Sequence, residues 1–84
     1  MSKDEILQKV VEILTPYSDE PEAMPTATPE QHLKKELGVD SSHMVDASME
    51  FEDEFGIELT DEEVVTFKHM HHVIDMIAAK LDGR

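Results

Sequence analysis

Residues 37–63 read LGVDSSHMVDASMEFEDEFGIELTDEE, and this stretch decides the fold. Gly38 interrupts the chain, and Asp40, Ser41 and Ser42 then supply the short polar side chains that start helices. Met44, Ala47 or Ser48, Phe51 and Phe55 follow at helical spacing, flanked by Val45 and Met49, and Gly56 offers a stop. The pattern predicts a second helix that starts at about residues 40–42 and runs to Phe55. Ile57 and Leu59 alternate with Glu58, which predicts a short extended link. Thr60 or Asp61 can cap a short third helix running through Phe67, with Val64 and Phe67 as its apolar pair.

On the N-terminal side, Ser2 and Glu5 have the spacing of a capping box. Ile6, Val10, Ile13 and Leu14 make one apolar face, and Pro16 ends it, so a helix is expected over about residues 2–15. All four prolines fall between Pro16 and Pro29, which makes PYSDEPEAMPTATPE a loop. A loop of that length in a small domain needs anchoring, and Leu33 and Leu37 can pin its far end. On the C-terminal side, Val73, Ile74, Ile77 and Leu81 line a last helix from about Met70 to Leu81, with Gly83 beyond its end. The expectation is one all-α domain over residues 1–84, a bundle of four short helices.

Composition narrows the function. The chain has no cysteine, which excludes disulfides and thiol chemistry. A formal charge of −13 excludes nucleic acid and anionic membrane surfaces as partners and favours proteins with basic patches. No segment has the length of a membrane span or the apolar core of a leader, so a cytoplasmic protein is expected. The acids concentrate between Asp40 and Glu63, with no lysine or arginine between Lys35 and Lys68. On the second helix Asp46, Glu50 and Asp53 share one face, where like charges repel by a few tenths of a kcal/mol per pair. A solvated surface explains such a run, and so does a docking face. Its place directly after a Gly-x-Asp-Ser turn favours docking.

These residues resemble acyl carrier proteins. The likeness rests on Leu37, Gly38, Asp40 and Ser41, then on Glu52, Asp53, Glu54 and Phe55, then on Ile57 and Leu59. It extends without gaps into the last helix through Met70, Val73, Ile74 and Ile77. The resemblance implies a bundle whose short third helix lies across the others. It implies a 4′-phosphopantetheine arm on Ser41, added by a separate phosphopantetheinyl transferase, with Asp40 helping that enzyme hold Mg²⁺. The arm would present thioester-bound acyl groups to loading and transferring enzymes of lipid, fatty acid or polyketide pathways. The chain would thus be a monomeric carrier and not an enzyme. Ser42, His43, Met44, Asp46, Met49, Glu50, Asp53 and Glu54 would form the partner-binding surface. Ser42 stands where the family usually has leucine, and His43, Ala47 and Ser48 also depart from its pattern. Small side chains at Ala47 and Ser48 would leave an acyl pocket wider or more polar, which points to a specialised carrier.

Other chemistries fit less well. Glu50, Glu52 and Glu54 alternate like EF-hand ligands, but Gly56 falls at the seventh loop position instead of the sixth. His69, His71 and His72 invite a metal, yet only His69 and His72 share a helix face, and exposed histidines forming a pH-sensitive patch are expected instead. Ser41 or Ser42 with His43 and Asp46 are too close in sequence to converge as a hydrolase triad. The remaining alternative is an acidic helical interaction module without a prosthetic group, using Met44, Met49, Met70 and Met76 as an adaptable surface.

Overall fold

The computed structural model describes residues 1–83. Its elements are α1 (Lys3–Leu14), α2 (Ser41–Phe55), α3 (Asp61–Val64) and α4 (Met70–Asp82), with two 3-10 segments, Thr15–Tyr17 and Pro21–Thr26, in the long connection. Among the described residues there is no strand, only one isolated antiparallel bridge between His32 and His69.

Local chemistry sets the helix ends. Ser2 and Glu5 form the expected capping box, the Ser2 N–H donating to Glu5 and the Glu5 N–H to the Ser2 hydroxyl. Thr60 and Glu63 form the same box at α3. Gly56 closes α2 in the left-handed conformation, with φ 65°, as a helix-terminating glycine should.

The expected third helix is too long. The α-helix stops at Val64, and a turn carries the chain to Phe67, although Val64 and Phe67 are both buried as a pair should be. Val65 and Thr66 are β-branched, and the Thr66 hydroxyl donates to the Glu63 carbonyl at 2.6 Å, engaging a carbonyl at the helix end. The proline-rich stretch also has more order than a plain loop. Its 3-10 segments begin at Thr15 and Pro21, with Pro16 and Pro21 in the opening positions, where a missing N–H costs nothing.

The core joins all of these. Ile6, Val10 and Leu14 of α1 meet Met44, Ala47, Phe51 and Phe55 of α2 and Met70, Val73, Ile74 and Ile77 of α4. Helix α1 packs against both α2 and α4, and α3 packs against α2. Leu33 and Leu37 are buried as expected, together with Met24 and Val39 from the same long connection. That connection therefore forms one wall of the bundle. Its last residues deliver the chain to Ser41 in a fixed direction.

Candidate functional site

Asp40 and Ser41 sit where an extended chain becomes a helix. Asp40 is the N-cap, with φ −83° and ψ 174°. Its Oδ1 accepts the His43 N–H at 2.9 Å, and its carbonyl accepts the Met44 N–H at 2.9 Å. Ser41 is the first residue of α2 and is exposed. The backbone N–H groups of Ser41 and Ser42 find no acceptor in the helix, as expected for a first turn. They sit at the positive end of the helix dipole, so a phosphodiester on the Ser41 hydroxyl would meet favourable charge and free donors.

The residues around Ser41 carry no machinery for self-activation. His43 turns back toward Asp40, its Nδ1 3.5 Å from Oδ1, and that nitrogen is shielded from solvent without a hydrogen bond. Its ring lies 6.1 Å from that of Tyr17. Ser41, Ser42, His43 and Asp46 all lie on one continuous helix, which removes the hydrolase geometry.

Most of the residues expected to meet partners lie at the surface. Ser42, Asp46, Met49, Glu50, Asp53 and Glu54 are exposed and His43 is half-buried. Met44 is not on this surface: it is only 3% exposed, turned inward one helical turn from Ala47 and Ser48 to fill the core. Met70 is likewise core and Met76 packs partly against it, so of the four methionines considered as an adaptable surface only Met49, at 59% exposure, stands out in solvent. Ser48 is buried, but its hydroxyl donates to the Val45 carbonyl at 2.6 Å. Its polarity is spent within its own helix and adds no free polar group to the interior.

Two contacts tie the acidic face to the rest of the fold. Lys9 Nζ lies 3.3 Å from Glu54 Oε2. The Tyr17 hydroxyl donates to Glu50, whose carboxylate holds the phenol above its ordinary value. Tyr17 was not legible as a site residue; its one signal is being the sole tyrosine, directly after Pro16. Glu52 Oε2 accepts the Leu59 N–H at 3.0 Å. With Glu50, Glu52 and Glu54 spread around an unbroken helix and each already bonded, no EF-hand loop exists.

The histidines correct another expectation. His69, His71 and His72 are half-buried, not exposed, and their donor atoms all lie within 4.8 Å of one another. His32 joins them from the long connection, its ring 5.1 Å from that of His69.

Comparisons with known proteins agree on one family. The model of the phosphopantetheine attachment site matches residues 5–77. The acyl carrier protein of Petrotoga mobilis is 36% identical over 84 residues, 98% of this chain and 94% of that one. That of Thermosynechococcus vestitus is 37% identical over 82 residues, 96% of this chain and 98% of that one. The crystal structure of the acyl carrier protein from Thermotoga maritima superposes with a TM-score of 0.85 at 32% identity, covering 99% of this chain and 94% of that one. Acyl carrier protein from Enterococcus faecalis gives a TM-score of 0.74 at 30% identity, covering 95% and 99%. These matches disfavour a bare interaction module. With an attachment-site match over most of its length and the bundle that positions such a site, the chain belongs to the acyl carrier protein family, whose covalent prosthetic group is 4′-phosphopantetheine.

Proposed function

We propose that Ser41 is the attachment residue and that the chain works as a single carrier domain. The observation carrying this reading is an exposed serine hydroxyl on the first residue of α2, beside an aspartate that caps the same turn. When bound, the arm supplies a thiol that holds an acyl group as a thioester. Ser41 then anchors the phosphodiester, and the first turn of α2 offers it the unpaired N–H groups of Ser41 and Ser42. Asp40 has two tasks: Oδ1 caps the helix, while Oδ2 has no partner among the described residues and is open to a Mg²⁺ brought by the transferase. The chain lends its own residues to other enzymes' chemistry and performs none itself.

Partners are the phosphopantetheinyl transferase and the enzymes that load or remove acyl groups. Ser42, Asp46, Met49, Glu50 and Asp53 would meet them, through basic patches that pair with the acidic face and steer the encounter. Ser42 is exposed where the family resemblance leads one to expect leucine, which supports a specialised partner set, because an apolar anchor is absent there.

Incubation with a transferase and coenzyme A, read by intact mass, tests the attachment. Wild type should gain one arm and Ser41→Ala none. Modification of Ser41→Ala, or of Ser42 in its place, would overturn the assignment.

A further inference from the structure

Four of the five histidines meet on the flank formed by the long connection and the start of α4. Ring centroids are 5.1 Å apart for His32 and His69, 5.4 Å for His69 and His72, and 4.3 Å for His71 and His72. Here the backbone of the connection is fastened to α4. The Leu33 N–H donates to the Lys68 carbonyl at 2.8 Å, Met70 N–H to Gln31 at 2.9 Å, and His71 N–H to Pro29 at 2.8 Å.

Two of the rings act as backbone acceptors. His32 Nδ1 accepts the N–H groups of Lys34 and Lys35, each at 3.2 Å. His72 Nδ1 accepts those of Lys68 at 3.1 Å and His69 at 3.0 Å. A neutral ring accepting at Nδ1 carries its proton on Nε2. It cannot offer Nε2 to a metal without moving that proton to Nδ1 and breaking both bonds. This wiring makes His32 and His72 caps, and a metal on the His69, His71 and His72 group would compete with the two N–H groups already on His72 Nδ1 or need its proton moved.

We propose that His32 and His72 form a pH-released clasp: each ring braces the backbone on its own side of the junction, His32 at 34–35 and His72 at 68–69, and mild acidification frees those turns and loosens the backbone bonds that join the 29–37 segment to α4. Protonation places a hydrogen on Nδ1, where two N–H groups already point, so both rings lose their acceptor role together. The surroundings do not welcome the added charge. Facing His32 are Lys35 and Glu36 on its own segment and Lys68 and His69 from the other side. Facing His72 are His69, His71 and Asp75. Glu36 already accepts the His32 N–H at 3.0 Å, and Asp75 is shared with Lys3 of α1 at 3.0 Å and His71 at 3.8 Å.

Burial first, and the neighbouring imidazoles second, hold both rings below the ordinary histidine value of 6.5. The folded chain thus takes these protons less readily than the unfolded chain. The contribution to stability is complete above about 6.5 and is lost as pH falls through the lowered folded values. This trend opposes the bulk electrostatics, because protons added to a chain of charge −13 relieve its self-repulsion. The clasp matters for the carrier because its segment runs on to Ser41: the Leu33 carbonyl accepts the Val39 N–H at 2.8 Å, two residues before the serine.

The test compares wild type with the double variant His32→Asn, His72→Asn, both without the arm, between about pH 8 and pH 5.5. Asparagine can present a carbonyl oxygen near the place of Nδ1 and does not titrate. Urea unfolding should show wild type losing stability on acidification relative to the variant. In wild type, amide exchange at Leu33, Lys34, Lys35, Lys68, His69 and Met70 should rise about tenfold or more beyond the intrinsic pH effect, while Phe51 stays protected. Parallel pH profiles, or an equal change at Phe51, would overturn the clasp. Should the variant fail to fold, the wild-type exchange pattern decides alone: local opening supports the proposal and uniform opening refutes it.

Discussion

The Asp19 N–H donates to the Gly38 carbonyl at 2.8 Å, so the two ends of the long connection close on each other just ahead of Ser41. Gly38 adopts φ +69°, and a Cβ there would lie 2.8 Å from the Glu20 nitrogen and 3.0 Å from that of Asp19. Both the backbone conformation and the space require glycine. Gly38→Ala should destabilise the fold by about 1–3 kcal/mol, measured by urea unfolding. An unchanged midpoint would show that this closure is not held by Gly38.

Asp40 combines a cap with a free carboxylate oxygen, and two substitutions separate them. Asp40→Asn keeps an acceptor for the His43 N–H and should cost no more than about 0.5 kcal/mol. Asp40→Ala loses the cap and should cost about 1 kcal/mol. If the carboxylate serves Mg²⁺ in the transferase complex, both variants should be modified at least about tenfold more slowly. Rapid modification of Asp40→Asn would confine Asp40 to capping.

The helix stripe separates core from surface sharply enough to test. Phe51 is fully buried, and Phe51→Ala should cost about 3–5 kcal/mol, enough to unfold much of so small a domain at room temperature. Met49, two residues away and 59% exposed, should tolerate alanine within about 0.5 kcal/mol. Circular dichroism and urea titration of the two variants check the contrast.

What the sequence made legible was local. Helical spacing located α1, α2 and α4, the Ser2 and Glu5 pair marks the start of α1, and Thr60 marks the start of α3. Ser41 stands out as the candidate because a Gly-x-Asp-Ser turn and the acidic run that follows are contiguous. Met24 and Val39 were not, because they sit in a segment without periodicity, where burial is decided by what the segment packs on. Met44 carries two signals at once: spacing puts it on the core stripe, while its place in the first turn suggests contact with partners, and the structure turns it inward. The pairing of His32 with His69 lies furthest from sequence reading, since nothing between those positions signals that they will meet.

Lys80 and Glu63 link α4 to α3, with Nζ 2.8 Å from Oε2. The Lys80 ammonium first, and the Thr60 N–H second, hold the Glu63 carboxyl below its ordinary value of 4.5. A lowered folded value means the unfolded chain binds the proton more readily. The pair therefore contributes its full share above about 4.5 and loses it as pH falls through the lowered value. Lys80→Met removes the larger cause while leaving the Thr60 cap in place. The variant should be less stable than wild type at neutral pH, and the gap should narrow as the pH drops through that range. Added salt should narrow it too, because the pair is partly exposed and open to screening. Urea unfolding across the acid range checks this, and a gap independent of both pH and salt would assign the loss to the packing of the lysine stem instead of its charge.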